Sequence, residues 1–325
     1  MFKKYKQKIL LSIIAGLIVY LGFSIYADFD NLAKAVVSFK WKYFPFVLLL
    51  SLLNYFVRYL KWEYYLFLLN IKLKKTNSLL IFLSAFTMSV TPGKLGEVFK
   101  SYLLKEENGT PISYSAPIVI AERLTDFLSI VILCLIGAIV FNYGRVLIIV
   151  TGMVFVIVII LISYRNLSIK IIELISNIKI FKKHVIKLRN AYESIYLLVK
   201  IKPLLVVIGL SVISWFFECI GFYIVVNSFT ETLEVSILSA TFIYAFSTLL
   251  GAIMMLPGGL GATEASLTGL LIYLKIPEAL SVASALIIRI ATLWFAIVIG
   301  IISLAIFQKR KPISEIQLEE NKLYP

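Results

Sequence analysis

Histidine and cysteine are almost absent from this chain. His184 is the single histidine and lies in a basic segment, where we expect a solvated side chain. The two cysteines, Cys134 and Cys219, fall in apolar stretches, where cysteine behaves as a small buried hydrophobe. This leaves no residue set for a metal cluster, a disulfide framework or a His-activated nucleophile. We therefore expect no metal and no cofactor.

Charged residues are scarce as well. They make up 15% of the 325 residues, against about 25% in soluble domains, and the mean hydropathy is +0.95. Several apolar stretches approach or exceed the roughly 20 residues that a helix needs to cross a bilayer. They cover about 9–27, 44–60, 117–141, 146–163, 203–229, 237–256 and 280–307. The composition predicts an all-α integral membrane protein.

The net charge of +14 sits mainly in short loops. This is the pattern of membrane proteins whose Lys and Arg residues stay inside the cell. Basic residues at Lys3–Lys8 and at Lys309–Lys311 place both termini in the cytoplasm, and we expect a multi-pass protein of the cell (inner or plasma) membrane. No basic face carries the interleaved aromatic residues that stack on bases, so nucleic acid is not an expected partner.

Two apolar segments are broken in the middle. Residues 78–104 are interrupted at Pro92-Gly93, and residues 237–273 at Pro257-Gly258. Proline and glycine disrupt a helix, and the two pieces of the first segment are too short to cross alone. We therefore predict two re-entrant broken-helix hairpins. About six full spans accompany them, near 9–27, 44–69, 114–141, 146–163, 203–228 and 279–307.

The two breaks resemble each other. Pro92-Gly93-Lys94-Leu95-Gly96 matches Pro257-Gly258-Gly259-Leu260-Gly261, and each is followed by an acid, Glu97 or Glu264. An arginine lies 31 residues after the first proline (Arg123) and 32 after the second (Arg289). Loop charge places the first hairpin inside and the second outside, which predicts an inverted repeat like that of many transporters.

The repeat organises the chain as a single membrane domain, 1–325. Repeat 1 covers about 44–141 and repeat 2 about 203–307. A cytoplasmic segment at about 165–202, expected to form one or two amphipathic surface helices, lies between them. A cytoplasmic tail follows at 308–325.

Charged residues inside the spans are the main functional candidates, because each costs about 2.5–3.5 kcal/mol at the bilayer centre unless it is paired or hydrated. One interpretation is that Arg123 pairs with Asp126 or Glu97 to brace the fold. The other is that the basic residues bind a phosphate, aided by free N–H groups at the helix starts after each break, although a carboxylate or sulfate fits equally well. A further alternative is that Glu97 or Glu264 carries a coupling proton. The candidate substrate-binding residues are Lys94, Glu97, Lys100, Glu122, Arg123, Asp126, Glu264 and Arg289, with Arg58 and Glu218 as further candidates.

Residues near the span ends have simpler interpretations. We expect Lys61 to extend to the inner membrane surface. Arg58 either does the same or lies within the membrane as a site residue. Aromatic residues at these positions are typical interface anchors. They are Trp41, Tyr43, Trp62 and Tyr64.

Three motifs occur in an order that is similar to a known family. They are PGKLGE (92–97) with Lys100 after it, ERLTD (122–126) and PGGLGATE (257–264). Together they resemble the transmembrane, flippase-like region of lysylphosphatidylglycerol synthases and its stand-alone relatives. The resemblance covers about residues 8–308. Lys94 and Lys100 stand where relatives often carry arginine, which keeps the charge but loses the two-pronged guanidinium contact with phosphate.

The resemblance implies a lipid translocase. In the full-length synthases this region is understood to flip the aminoacylated lipid that a separate cytosolic domain makes. The chain stops about 17 residues after the last predicted span, so we expect that domain to be absent and lysyl transfer not to be its activity. The expected partner is a membrane phospholipid or lipid-linked headgroup. A membrane enzyme that modifies lipids, with Glu97, Glu122 or Asp126 as base, and a scaffold for a separate synthase or glycosyltransferase are the alternatives.

The predicted topology can be tested by labelling. Single cysteines placed at Glu106 and Thr230 are expected to react with a membrane-impermeant maleimide from opposite sides of the membrane. Labelling of both from the same side would contradict the inverted repeat.

Overall fold

A computed structural model describes residues 21–23, 25, 28–91, 96–138, 141, 144–176, 185–230 and 234–310. The predicted span at 9–27, His184, Lys94 and the tail from 311 therefore fall wholly or mostly outside the described residues. Every element of the described part is helical. The first six helices are α1 (Phe29–Ser38), α2 (Phe44–Leu68), α3 (Lys75–Ser84), α4 (Phe99–Asn108), α5 (Ile112–Gly137) and α6 (Arg145–Ser163).

The second part of the chain continues in the same way. Its helices are α7 (Arg165–Ser176), α8 (Val185–Leu198), α9 (Ile201–Val226), α10 (Ile237–Ile253), α11 (Ala262–Tyr273), α12 (Glu278–Arg289) and α13 (Phe295–Arg310). A π-helical turn, Ile290–Trp294, joins α12 to α13 without a break. Four stretches of the described chain are long and apolar enough to cross a membrane. They are Trp41–Leu68, Arg145–Ser163, Ile201–Val226 and Glu278–Arg310.

The helix starts and ends follow local chemistry. Pro45 lies in the first turn of α2, where its missing N–H costs nothing. Gly109 ends α4 in a left-handed conformation with φ 77°, which glycine adopts without strain. Helix α5 is as long as the apolar spans but carries Glu122, Arg123 and Asp126. It corresponds to the span predicted at 114–141.

The second predicted break is confirmed. Helix α10 ends at Ile253, a short 3-10 turn covers Pro257–Gly259, and α11 begins at Ala262. Gly258, Gly259 and Gly261 have φ values of 63°, 69° and 85°, which only glycine adopts readily. In the first segment, α3 and a 3-10 turn, Ala85–Met88, precede the break and α4 follows it, while Pro92, Gly93, Lys94 and Leu95 lie outside the described residues.

The order of elements around the breaks occurs twice. Helices α2 to α5 and helices α9 to α13 follow the same order: a long helix, a shorter piece, a break, a short helix and a long charged helix. Helix α2 packs along α9, while α10 packs along α5 and α13 along α3. Each broken segment thus lies against the last helix of the other half.

The segment predicted as amphipathic contains two helices, α7 and α8. Helix α8 packs closely on α5. Tyr192 and Ile195 are buried in one apolar group with Leu124 of α5 and Ile159 of α6. The Tyr192 hydroxyl donates to the Ile162 carbonyl at 3.1 Å. The apolar face of α8 therefore belongs to the protein core.

Close backbone contact holds the two halves together. Lipid tails are as apolar as leucine, so helices in a membrane associate through tight packing, often at small residues. A Cβ atom on Gly300 of α13 would lie 2.6 Å from the Thr87 backbone nitrogen in the first broken segment. A Cβ on Gly137 of α5 would lie 2.6 Å from the Phe242 Cβ of α10. Both crossings depend on a missing side chain.

Gly300→Ala is expected to lower the free energy of unfolding by about 1–3 kcal/mol, because the added methyl group overpacks a backbone contact. The measurement is thermal unfolding of the purified protein in detergent. Gly209→Ala in α9 is the matched control, since nothing lies within 4 Å of its added Cβ. Equal melting temperatures for the two variants would contradict the close crossing.

Candidate functional site

A cavity of about 340 Å³ lies among α2, α5, α9, α10, the second break and the π turn. Its wall includes members of both large apolar cores, for example Phe86 from one and Trp215 from the other. The charged residues that line it are Arg58, Arg123, Asp126, Glu218 and Arg289. All five were predicted as site candidates, and the fold brings them to one space.

Asp126 is the centre of the first charged group. Its Oδ1 atom is 2.6 Å from Lys61 Nζ, and its Oδ2 atom is 3.7 Å from Arg123 Nη2 and 3.9 Å from Arg58 Nη2. Arg123 Nη2 also lies 2.5 Å from Glu97 Oε2. The bracing interpretation of Arg123 is therefore correct at the level of contacts, although the same guanidinium also lines the cavity.

The expected position of Lys61 at the membrane surface is wrong. Its exposed fraction is 1%, and its ammonium also donates to Thr125 Oγ1 at 3.2 Å and to Ser211 Oγ at 2.7 Å. Three acceptors match the three N–H groups of an ammonium, so the buried charge is fully coordinated. Lys61 lies one helical turn after Arg58 and supports Asp126 from behind the cavity wall.

The second charged group is built around Arg289. Its Nε donates to Glu264 Oε1 at 2.7 Å and its Nη2 to the Gly258 carbonyl at 2.5 Å. Glu264 is completely buried, and its Oε2 accepts from the Gly261 N–H at 2.7 Å. The acid thus caps α11 and fixes the arginine. The expectation that this helix start is open to an anion is wrong for the Gly261 N–H, which Glu264 occupies.

The two arginine–glutamate pairs are equivalent. Arg123 follows its partner Glu97 by 26 residues, and Arg289 follows Glu264 by 25. Each acid comes after a break, and each arginine comes from the last long helix of its half and faces the cavity.

Glu218 lines the cavity from α9. Its Oε2 atom accepts from the Tyr244 hydroxyl of α10 at 2.6 Å. Nearby in the wall, the Tyr55 hydroxyl donates to the Thr292 carbonyl in the π turn at 2.8 Å. Single π turns inside α-helices are frequent at functional sites.

Lys100 and Glu122 occupy a different place. They form an ion pair in which both residues are 2% exposed, and neither is among the residues lining the cavity. The ammonium lies 4.9 Å from the Trp62 ring centroid and 5.7 Å from that of Phe82. Their predicted contact with substrate stays a prediction, and the geometry gives them a bracing contact between α4 and α5.

The aromatic residues predicted as interface anchors differ in their exposure. Trp41 and Tyr43 are 48% and 37% exposed, as expected of residues at a membrane surface. Trp62 is fully buried, so its prediction as an anchor is wrong; its indole N–H donates to Ser78 Oγ at 3.1 Å.

Gly96 of the first break is packed tightly, since a Cβ there would lie 2.6 Å from Met88 Cβ.

Sequence reasoning missed several residues of the wall, including Tyr55, Trp215 and Tyr244. A signal was present. Residues 51–58 read SLLNYFVR and residues 211–218 read SVISWFFE, with Ser, a small polar residue, an aromatic residue, Phe and a charged residue at matching positions. The matched positions Asn54 and Ser214 contact each other, as the Asn54 amide donates to the Ser214 carbonyl at 2.7 Å. The sequence similarity between the two halves therefore extends into α2 and α9.

The sequence profile of the lysylphosphatidylglycerol synthase transmembrane region matches residues 13–300. The chain belongs to this family. It is also similar to archaeal UPF0104 membrane proteins, to one from Methanothermobacter thermautotrophicus at 34% identity and to one from Methanocaldococcus jannaschii at 27%. The first match covers 30% of this chain and 28% of that relative, and the second covers 69% and 95%.

This family membership agrees with an integral membrane protein built of several apolar helices. Within the described residues, no group of three or more His, Cys, Asp and Glu side chains is placed to hold a metal ion. The cavity wall presents three guanidinium groups and two carboxylates around one space, which can act by charge and hydrogen bonding.

The buried Lys100–Glu122 pair gives a test of structure apart from the cavity. Lys100→Met is expected to lower the free energy of unfolding by about 3–5 kcal/mol, because Glu122 is left as an uncompensated charge. The double variant Lys100→Met, Glu122→Gln is expected to recover most of that loss. Chemical or thermal unfolding in detergent measures both. A single variant as stable as the native protein would show that the pair is not buried.

Proposed function

We propose that this protein moves a phospholipid or a related lipid-linked headgroup between the leaflets of the membrane. The observation that carries the proposal is the cavity among the apolar helices with Arg58, Arg123 and Arg289 in its wall. Charged residues inside a membrane are costly and mark substrate paths by default. Guanidinium groups are well suited to phosphate.

The rim of the cavity favours a lipid over a soluble anion. Ile120 of α5, with Met255 and Leu256 at the second break, line the cavity and are 52%, 65% and 37% exposed. Apolar side chains on the rim and arginines within the same space suit a molecule that has both a charged headgroup and hydrocarbon chains. Met255 also has a φ of 52°, which is uncommon for a residue other than glycine.

We further propose that α2–α5 and α9–α13 are an inverted repeat. The matched segments of α2 and α9, the equivalent arginine–glutamate pairs and the reciprocal packing of α10 on α5 and α13 on α3 support it. In transporters of this kind, one half rocks against the other around a fixed site at the repeat interface. The cavity lies at that interface. Loop charge supports cytoplasmic termini in the cell membrane.

The test is lipid translocation in proteoliposomes. Fluorescent phosphatidylglycerol, its lysylated form and a neutral-headgroup lipid are reconstituted with the native protein. Two variants each remove one arginine with its acid partner, so that no buried charge is left alone. They are Arg123→Gln with Glu97→Gln, and Arg289→Gln with Glu264→Gln.

Each pair variant is expected to slow translocation about tenfold or more, since a lost charged hydrogen bond is worth ~1.5–3 kcal/mol and 1.4 kcal/mol is a factor of ten. The control is the double variant Lys75→Gln, Glu63→Gln, which removes an ion pair outside the cavity lining and is expected to stay within about twofold of the native rate. No translocation by folded native protein would contradict the proposal and favour a scaffold. Native translocation rates in both pair variants would show that the substrate path does not pass these arginine–glutamate pairs.

A further inference from the structure

A second opening, the α6–α9 groove, lies between the end of α6, the end of α8 and the start of α9. It has a volume of about 470 Å³, and among the described residues it shares none of its lining with the cavity that holds Arg123 and Arg289. Its floor is apolar and buried and consists of Ile159, Val199 and Leu204. Its rim is exposed. The groove is therefore accessible from outside the helix bundle.

The α6–α9 groove lies at the ends of two helices that can cross a membrane. Arg145–Ser163 and Ile201–Val226 are both long and apolar enough, and the last residue of the first lines the groove together with the first residue of the second. Tyr164 and Tyr196 line it too, and tyrosine is typical of the headgroup level. Leu204 in the floor lies about one turn into α9. One groove thus joins a polar end to an apolar end.

The polar end of the groove carries a positive charge. Lys200 is the only charged residue among the described residues of the lining, and the ion pairs of the described chain do not include it. Its ammonium lies 5.5 Å from the centroid of the Tyr196 ring, and the Arg165 guanidinium lies 5.9 Å from the same centroid. Arg165 is paired with Glu193 at 2.8 Å. Lys200 can therefore accept an anionic partner from outside the protein.

The helix ends at the groove also favour an anion. Lys200 is the N-cap of α9, and its side chain makes no capping hydrogen bond. The carbonyl end of α6 is occupied by the protein itself, since the Tyr192 hydroxyl donates to the Ile162 carbonyl at 3.1 Å and the Ser168 hydroxyl to the Leu161 carbonyl at 2.9 Å. The positive end of a long helix thus adds to the charge of Lys200.

The chain next to the groove is strongly basic. Residues 165–202 contain nine Lys or Arg residues and two Glu residues, and their charge predicts a cytoplasmic location. Anionic lipids of the inner leaflet are attracted to basic residues at the membrane surface. A soluble anion would leave the apolar floor unused, and a hydrocarbon chain alone would leave Lys200 unused. A lipid with an anionic headgroup uses both.

We propose that the α6–α9 groove binds an anionic phospholipid of the surrounding bilayer. The phosphate lies at Lys200 and the start of α9, and one acyl chain lies along the floor. The floor residues belong to the apolar group that packs α8 against Leu124 of α5. The bound lipid therefore supports the contact of α8 with the helix that carries Arg123. This site is separate from the proposed translocation site and does not depend on that function.

The test is photo-cross-linking in nanodiscs that contain equal amounts of phosphatidylglycerol and phosphatidylcholine. In each sample one of the two lipids carries a diazirine in its acyl chain, and mass spectrometry identifies the labelled residues. Labelling at Ile160 and Leu204 is expected to favour phosphatidylglycerol about fivefold, the factor that one basic residue near the membrane surface contributes. Val150, which is exposed on α6 and does not line the groove, gives the reference ratio for the other lipids around the protein.

Two lysines provide a matched comparison. Lys200→Gln is expected to reduce the preference at Ile160 and Leu204 to the reference ratio. Lys202→Gln removes a second exposed lysine, two positions further on and outside the groove lining, and is expected to keep the preference. Ile160→Trp is expected to lower the labelling of Leu204 by both lipids, because the larger side chain fills part of the groove. Melting temperatures verify that each variant is folded.

Three outcomes would overturn the inference. Equal labelling of the groove by the two lipids in the native protein would show that it holds hydrocarbon without a headgroup preference. An equal loss of preference in Lys200→Gln and Lys202→Gln would show that diffuse surface charge attracts the lipid. Labelling at Val150 but not at Ile160 or Leu204 would show that lipid does not enter the groove. Each result leaves the translocation proposal to its own assay.

Discussion

The pairing of charges inside the helix bundle determines how this protein is built. A lone charge at the centre of a bilayer costs about 2.5–3.5 kcal/mol. Ion pairs within 4 Å join oppositely charged candidates in the described chain, namely Arg58, Glu97, Lys100, Glu122, Arg123, Asp126, Glu264 and Arg289. Two of these pairs join a residue after a break to the last helix of the same half. Because the breaks are held in this way, irregular backbone can lie next to a cavity inside the membrane.

Much of this arrangement follows from residue order. The second Pro-Gly break, the long helices and the equivalence of Arg123 and Arg289 were predicted because helix breakers and isolated charges stand out in an apolar sequence. The burial of Lys61 and Trp62 was not predicted, because their positions near the end of α2 are typical of residues at the membrane surface. Lys61 contacts Ser211, which lies far along the chain, and Trp62 contacts Ser78 in the next helix. No local sequence pattern indicates such contacts.

The match between α2 and α9 is present in the sequence, but it was not recognised there. Its identical residues are few, and apolar helices resemble one another by composition alone. The hydrogen bond between Asn54 and Ser214 shows that the matched positions of α2 and α9 also meet in space. The family relationship then places this arrangement among membrane proteins of the lysylphosphatidylglycerol synthase type.

The most direct test of the central claim, that the cavity holds a lipid headgroup, is a cryo-EM structure of the protein in nanodiscs of mixed phospholipids. The account predicts density for a phosphate within hydrogen-bond distance of Arg58 and Arg123, with acyl-chain density leaving past Ile120 and Met255. A cavity that contains only water, with ordered lipid confined to the outer surface of the helices, would contradict it.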